Sequence, residues 1–272
     1  MAKKRSSRPK AQEVIFEMEP SQEGSSIFDY LSMWYGPPKI GKSTLLSKFD
    51  GVYWLCTEPG YKFLNIRKSK INSWEDFMAF VRKAEKSKKF VKTVKMWCID
   101  PVDKLAKFCM SYSCYKLKID HPTDADWGKG WEAFRDEFTE WILRLCAIGP
   151  GVATISHVKE RDIVHNNITI TKETPSMPKT CYTILNDLCD ITVKVGYEPY
   201  VRGKKKKRGK KQRRCLFTEG TEDMEAGNRT GNRLPPIIPF GTEQEAIDTL
   251  MAAFEGKEAP AQKKKKKKKT RK

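Results

Sequence analysis

The chain has 272 residues, of which 39% are hydrophobic and 32% charged, and its formal net charge is +19 at pH 7. This length predicts one domain of ordinary to large size with tails, and no run approaches the ~20 apolar residues of a membrane-spanning helix. The eight cysteines are scattered without a C-x-x-C pair, which argues against a disulfide scaffold and favours a reducing cytoplasm.

The first third of the chain predicts strands that alternate with helices. Residues 27–36 end in an apolar, aromatic run, typical of a strand entering a Gly-rich turn, and residues 42–49 continue as a helix. The apolar run 51–60 closes with Pro-Gly, which indicates a buried strand followed by a turn. Ser73 precedes apolar residues at helical spacing, so a capped helix is expected over 73–86.

The middle of the chain repeats this alternation. Residues 91–101 predict a strand and residues 102–117 a helix. Residues 127–149 predict a long amphipathic helix that a Gly-Pro pair ends, and the apolar run 151–157 predicts the next buried strand.

The last third begins with a segment of different character. Residues 158–179 are polar and poorly periodic, which favours a mobile loop. Residues 182–198 predict a short helix and then a strand, and residues 214–220 predict the partner of that strand across a hairpin. A final helix is expected over 242–256, with Thr242 as its N-cap.

The fold class follows from this order. Because the predicted strands are continuous apolar runs that alternate with helices, we expect an α/β fold with a mostly parallel sheet flanked by helices on both faces. The domain is expected to span residues 27–257, between a disordered basic tail at 1–26 and a disordered polylysine tail at 258–272. Residues 202–214 predict a polybasic hairpin loop within it.

The positive charge is concentrated in three segments. Residues 1–10, 202–214 and 263–272 contain 24 of the 53 Lys and Arg residues and no Asp or Glu. The remainder holds 29 basic and 34 acidic residues, so the predicted globular body is mildly acidic. Flexible polycations attract any polyanion without reading its sequence, and nucleic acid is the partner they favour. Increased solubility is the alternative explanation for these runs.

A phosphate-binding motif joins the first predicted strand to the first predicted helix. The sequence GPPKIGKST matches G-x-x-x-x-G-K-[ST] in this strand–helix context. Its backbone is expected to cradle phosphates, with Lys42 at the β- and γ-phosphates and Ser43 on Mg²⁺. The predicted nucleotide-binding residues are Gly36, Pro37, Pro38, Lys39, Ile40, Gly41, Lys42, Ser43 and Thr44.

Three further polar residues end predicted strands. Asp100 ends the run MWCID, where a carboxylate can support Mg²⁺; a helix N-cap is the alternative, and Asp103 is a weaker candidate for the metal. Glu58 follows the strand VYWLC and is expected beside the strand of the phosphate loop, as the group that activates water. His157 ends the strand VATIS and is the candidate sensor of the γ-phosphate.

The order of these four strand ends resembles the RecA-like P-loop ATPase core. It is most similar to the small RecA-like ATPases of phages, which include single-strand annealing and recombination proteins, and the resemblance covers about residues 28–242. It implies that Lys42, Glu58 and His157 are catalytic and that Ser43 and Asp100 hold Mg²⁺. It also implies ATP as the nucleotide and a homo-oligomer, ring or filament, in which Arg229 or Arg233 acts across the subunit boundary.

In RecA-like proteins, two loops hold single-stranded DNA. Their equivalents here are residues 158–179 and 115–131. Candidates for stacking on bases are Trp127, Trp131 and Tyr115. Trp131 is more readily expected in the core, because aromatic residues at helix starts are usually buried.

The sequence therefore predicts a cytoplasmic, DNA-stimulated ATPase that acts on single-stranded DNA, without a membrane partner. A non-hydrolysing annealing or scaffold protein that uses nucleotide for assembly remains an alternative. Another P-loop enzyme, such as a helicase or a kinase, is a second one.

Overall fold

The computed structural model describes residues 24–165, 168–200, 211–231 and 233–257. The predicted tails lie almost entirely outside the described residues, as do residues 202–210 of the predicted polybasic loop. Ten strands belong to the described part: β1 Leu31–Gly36, β2 Val52–Cys56, β3 Arg67–Lys70, β4 Met96–Asp100, β5 Gly151–His165, β6 Ile168–Pro175, β7 Ile191–Tyr200, β8 Lys211–Phe217, β9 Gly227–Asn228 and β10 Ile237–Phe240. The α-helices are α1 Lys42–Leu46, α2 Trp74–Lys86, α3 Lys88–Val91, α4 Val102–Leu117, α5 Lys129–Cys146, α6 Lys179–Leu188 and α7 Glu243–Phe254.

The strands form one mixed sheet with a parallel centre. Its order is β10-β8-β7-β1-β5-β4-β2-β3, and every pairing from β7 to β3 is parallel. The four strands that carry the predicted site, β1, β5, β4 and β2, are therefore contiguous. The expectation that the strand of Glu58 lies next to the strand of the phosphate loop is wrong, because β5 and β4 separate β2 from β1.

Apolar side chains on both faces of the central strands explain why helices cover the sheet on both sides. Met33 packs with helices α2, α4, α5 and α6, whereas its neighbour Trp34 packs with α1 and α7 on the other face. Both side chains are fully buried. This alternation is what continuous apolar strands require, and it confirms the predicted α/β fold class.

Two of the predicted helix starts are confirmed in atomic detail. The Ser73 hydroxyl accepts a hydrogen bond of 3.1 Å from the Asp76 amide at the start of α2. Thr242 caps α7 by accepting from the Glu245 amide, and the Glu245 carboxylate accepts from the Thr242 amide in return. These reciprocal bonds satisfy amide groups that have no partner within the helix.

The predicted mobile loop at 158–179 is largely a β-hairpin, so that expectation is wrong. Strands β5 and β6 pair antiparallel from Val158 opposite Pro175 to His165 opposite Ile168. The hairpin side chains Ile163 and Val164 are 44% and 70% exposed. A ribbon that is open to solvent shows no clean apolar alternation, so its sequence lacks the signal of a half-buried strand.

Two more differences lie at the edges of the fold. Residues 211–214 of the predicted polybasic loop belong to strand β8, which pairs antiparallel with β7. The edge strand β3 has the sequence RKSK and pairs parallel with β2.

Among the helices of the described residues, none combines the length and apolar character that a bilayer crossing requires.

Candidate nucleotide-binding site

The phosphate loop begins where β1 passes closest to its neighbour β7. Gly36 is in register with His157 of β5, and its φ of +156° lies at the edge of the range that side chains rarely adopt. A Cβ atom built on Gly36 would lie 2.2 Å from the carbonyl oxygen of Val195. Only glycine fits at this position, which explains the first glycine of the motif in physical terms.

The remainder of the loop turns through two left-handed backbone positions. Lys39 has a φ of +63° and Gly41 a φ of +106°, and α1 starts immediately after Gly41. Ile40 is buried in the core below α1 and α7 and so anchors the turn, while the side chains of Pro38 and Lys39 are exposed.

Lys42 is buried at the base of this loop. Its amine donates hydrogen bonds of 2.8 Å to the Gly36 carbonyl and 2.9 Å to the Pro37 carbonyl. Burial lowers the pKa of Lys42 to about 8, and the negative charge of Asp100 opposes that shift. The ammonium group is thus held by loop carbonyls, which phosphate oxygens can replace.

Ser43 and Asp100 meet beside Lys42. The Ser43 hydroxyl donates a hydrogen bond of 2.6 Å to Oδ2 of Asp100. Burial raises the pKa of the Asp100 carboxyl to about 6, although the bond from Ser43 opposes the shift. The two predicted metal ligands therefore lie at one point, in surroundings that disfavour an uncompensated negative charge.

Asp103 has a different role from the weaker metal candidate predicted for it. Its Oδ1 accepts a hydrogen bond of 2.5 Å from the Ser156 hydroxyl. Its Oδ2 accepts from the His157 amide at 3.0 Å and from the Ser176 hydroxyl at 3.2 Å. Both oxygens therefore tie the base of the β5–β6 hairpin to the start of α4.

His157 lies opposite Gly36 at the same edge of the sheet. Its backbone carbonyl accepts from the Ser176 amide at 2.9 Å, which closes the base of the hairpin. Its Nδ1 atom is buried and makes no hydrogen bond within the described residues. A buried ring nitrogen without a partner marks a place where a ligand can supply one.

Glu58 follows β2 in an exposed turn. The amide of the preceding residue, Thr57, donates a bond of 3.0 Å to the carbonyl of Asp100. The backbone at Glu58 is therefore tied closely to the end of β4. Its side chain is exposed and lines a cavity at the carboxyl ends of β2 and β3, and it makes no hydrogen bond within the described residues.

Arg214 is a residue near the phosphate loop that sequence reasoning missed. A Cβ atom built on Gly41 would lie 3.3 Å from Nη1 of Arg214. Arg214 forms an ion pair with Glu243 at the start of α7, and its Nη2 donates a bond of 2.9 Å to the Gly241 carbonyl. In the sequence, Arg214 is only the last residue of a basic run, and no local signal separates it from the others.

The two predicted arginine fingers lie away from the phosphate loop of their own chain. The Arg229 amide donates to the Asp190 carbonyl, and Asp190 also bonds the backbone of Leu31 at the start of β1. That end of β1 is opposite to Gly36. Arg233 donates a bond of 2.5 Å to the carbonyl of Gly24.

The aromatic residues proposed for base stacking differ in exposure. Trp127 is 95% exposed and Tyr115 is 80% exposed. Trp131 is half-buried, with its ring packed edge-on against Phe134 in the core below α5.

The residues present fit ATP and Mg²⁺. The glycine turn leaves space for phosphate oxygens, the buried ammonium group of Lys42 supplies the opposite charge, and hydroxyl and carboxylate oxygens are the donors that Mg²⁺ prefers. Among the described residues, no group of three or more His, Cys, Asp or Glu side chains is placed to hold a metal alone. A metal at Ser43 and Asp100 would thus depend on oxygens of the nucleotide.

Comparison with known proteins identifies one matching family and a protein of similar sequence. A family model described as an AAA domain matches residues 30–230. The SPbeta prophage-derived uncharacterized protein YorG of Bacillus subtilis (strain 168) is 29% identical over 132 residues. That match covers 46% of this chain and only 40% of the length of YorG.

Two of the solved structures with a similar fold come from archaea. The flagellar accessory protein FlaH from Methanocaldococcus jannaschii aligns with a TM-score of 0.42 and 10% identity, over 78% of this chain and 85% of FlaH. A KaiC-like protein from Pyrococcus horikoshii OT3 aligns with a TM-score of 0.46 and 11% identity, over 79% of this chain and 86% of that protein.

Proposed function

Because this chain belongs to the AAA domain family, whose model matches residues 30–230, we propose that it is a Mg²⁺-dependent ATPase that acts on single-stranded DNA. The observation that carries the proposal is the convergence of Lys42, Ser43 and Asp100 below the glycine turn. A buried ammonium group beside a hydroxyl–carboxylate pair is the arrangement that binds a metal-chelated triphosphate.

Each of these residues has a defined part in turnover. ATP and Mg²⁺ supply the phosphoanhydride to be cleaved and the Lewis acid that polarises it. Lys42 exchanges its bonds to the loop carbonyls for phosphate oxygens and neutralises the charge that develops on them. Ser43 and Asp100 would hold the metal, and Glu58 would orient the attacking water and accept its proton.

His157 links this site to the hairpin. It lies opposite Gly36 of the phosphate loop, and its amide and carbonyl hold the base of the β5–β6 hairpin through Asp103 and Ser176. We propose that contact of His157 with the terminal phosphate is transmitted to the hairpin, which contacts DNA in recombination, annealing or repair. The basic segments add affinity that is independent of sequence.

A subunit of a ring or filament is the proposed working form. Arg229 and Arg233 bond the carbonyls of Asp187 and Gly24 rather than the phosphate loop of their own chain, so we propose that they act on a neighbouring copy. Eight free cysteines, seven of them buried, support the proposed cytoplasmic location.

A second candidate function has one observation in its favour. The Glu58 carboxylate is exposed and makes no hydrogen bond within the described residues. A protein that binds ATP for assembly without turning it over does not need a positioned base there. This candidate is a DNA-annealing or scaffold protein.

The deciding experiment measures ATP turnover and nucleotide binding with and without single-stranded DNA. We expect Lys42→Ala to lower turnover at least ~100-fold, whereas Lys83→Ala, which removes an exposed lysine of α2, leaves it unchanged. Glu58→Gln should retain ATP binding and slow hydrolysis by about two to four orders of magnitude. Unchanged turnover in Lys42→Ala would contradict the proposed ATP site, and ATP-dependent oligomerisation without any turnover in the wild type would favour the second candidate.

A further inference from the structure

A cavity of about 550 Å³ lies at the carboxyl ends of β2 and β3, next to Asp100 at the end of β4. The turn after β2 contributes Glu58 and Tyr61, strand β3 contributes Lys68 and Lys70, and the first turns of α4 contribute Lys104 and Phe108. Residues 36–44 of the phosphate loop do not line it. Its volume lies in the range of sites that hold small organic groups.

The side chains that line this cavity, which we call the lysine cavity, are predominantly positive. Lys62, Lys68, Lys70 and Lys104 line it, against the single carboxylate of Glu58. Within the described part of the chain, none of these four lysines forms an ion pair. A concave surface with several unpaired positive charges concentrates anions. The body of the protein is otherwise mildly acidic, so this concentration of lysines is local.

Aromatic rings accompany the lysines. The ammonium group of Lys68 lies 5.5 Å from the centre of the Tyr61 ring, and that of Lys104 lies 5.8 Å from the Phe108 ring. Phe63, in the same turn as Tyr61, is 74% exposed. Proteins that bind single-stranded nucleic acid combine positive charges along its phosphate backbone with aromatic rings on which its bases stack.

We propose that the lysine cavity binds one or two nucleotides of single-stranded nucleic acid. The lysines contact the phosphodiesters, and Tyr61 or Phe63 stacks on a base. This site differs from the β5–β6 hairpin and from the basic segments, and the chemistry that it recognises is common to DNA and RNA strands.

The position of the cavity offers a route from the strand to the ATP site; this step rests on the proposed function. The Tyr61 hydroxyl donates a hydrogen bond of 2.6 Å to the carbonyl of Asp100. Glu58, the proposed base, lines the cavity itself. A strand seated on Tyr61 would therefore restrain the turn that carries Glu58, and hydrolysis would accelerate when the cavity is filled.

Photo-crosslinking of the full chain tests the proposal directly. Oligonucleotides of equal length that carry 4-thiothymidine or 4-thiouridine are irradiated with the protein, and the modified residues are mapped by mass spectrometry. We expect adducts on Tyr61, Phe63 or Phe108, and the oligonucleotide that forms them identifies the strand as DNA or RNA. Lys68→Glu combined with Lys70→Glu should lower these adducts at least about tenfold.

A matched pair of charge reversals serves as the control. Lys83→Glu with Lys89→Glu changes the net charge equally at exposed positions outside the cavity and should leave the adducts unchanged. Circular dichroism and the thermal midpoint verify that each variant is folded, and Lys104→Glu alone provides a second test if the double variant unfolds. Adducts confined to other segments, or equal in both double variants, would overturn the proposal.

Two further measurements separate this proposal from the ATPase proposal. The adducts are also measured in Lys42→Ala protein, where they should persist even if turnover is lost. An excess of ATP added to that variant should not displace the oligonucleotide. If ATP removes the adducts there, the cavity is a mononucleotide site and the proposal fails.

Discussion

The hydroxyl of Ser43 and the carboxylate of Asp100 are joined by a hydrogen bond of 2.6 Å, although the two residues are 57 positions apart in the chain. One residue starts α1 and the other ends β4, with β5 between their strands. The bond therefore joins the start of α1 to the end of β4, and it brings together the two oxygen-bearing side chains that we propose as Mg²⁺ ligands.

The first prediction concerns Mg²⁺. We expect Ser43→Ala and Asp100→Asn to reduce Mg²⁺-activated ATP hydrolysis by about two to three orders of magnitude, because each removes an oxygen donor from the metal. The measurement is a Mg²⁺ titration of turnover. Ser47→Ala, which removes a hydroxyl bonded to the Thr44 carbonyl, is the control and should behave like the wild type. An unaltered titration in the Asp100 variant would contradict the assignment.

The second prediction concerns the pH dependence of stability without metal. The pKa of Asp100 rises from an unfolded value of 3.8 to about 6 in the folded chain, through burial. The folded state then binds more protons than the unfolded state between these values, so stability falls as the pH rises through this window. We expect ionisation of Asp100 to cost on the order of 1 kcal/mol between pH 5 and pH 7.5.

Urea unfolding in EDTA at pH 5 and pH 7.5 measures this effect. Asp100→Asn cannot ionise, so its loss of stability between the two pH values should be smaller than that of the wild type by about that amount. The comparison of the two proteins cancels the titration of groups that do not interact with Asp100; Lys42, whose pKa Asp100 raises, is the exception. Equal losses would mean that Asp100 is not desolvated in the folded chain.

Much of the sheet could be predicted because its strands are buried on both faces. Apart from the aspartate at its end, the run MWCID contains only residues that prefer to leave water, and the helix after it has a visible start. The same reasoning placed Asp100, Glu58 and His157 at one edge of the sheet, since parallel strands end together. The strand order could not be obtained this way, and β2 was wrongly expected next to β1.

Features that depend on distant backbone pairing were not predictable. Strand β3, RKSK, contains no apolar residue; it pairs with β2 at the edge of the sheet, and its side chains bond Tyr53 and Thr93. The β5–β6 hairpin is open to solvent, so its alternation does not separate an apolar face from a polar one. Arg214 is positioned by Glu243, 29 residues later, which composition cannot reveal.

The third prediction concerns Asp103 and the hairpin base. Asp103→Asn replaces one of the two acceptor oxygens with an NH₂ group, so the side chain can no longer accept from both the Ser156 hydroxyl and the His157 amide. We therefore expect a loss of about 1–3 kcal/mol in the free energy of unfolding. Amide hydrogen exchange at His157 and Ser176 should accelerate. Asp162→Asn, which alters an exposed bond to Thr171 in the same hairpin, should change stability by less than about 0.5 kcal/mol. Exchange rates that stay unchanged at the hairpin base would refute the role of Asp103.

The fourth prediction concerns Arg214, whose guanidinium group lies beside Gly41 of the phosphate loop. Bound phosphates would compete with Glu243 for this group, because charge-assisted bonds to phosphate are strong and bidentate. We expect Arg214→Ala to weaken ATP binding about tenfold, corresponding to the ~1.4 kcal/mol of one charged hydrogen bond.

Arg213→Ala is the matched control for Arg214. Arg213 precedes it on β8 and pairs with Glu198, so its loss should leave ATP affinity unchanged. Calorimetric titration of both variants with ATP, with Arg214→Lys as a third protein, separates a charge effect from a guanidinium effect. Since Lys cannot reproduce the planar fork, Arg214→Lys should recover only part of the lost affinity. Equal ATP affinities for all three variants would show that Arg214 does not bind the nucleotide. Its role would then be only to link β8 to α7 through the ion pair with Glu243.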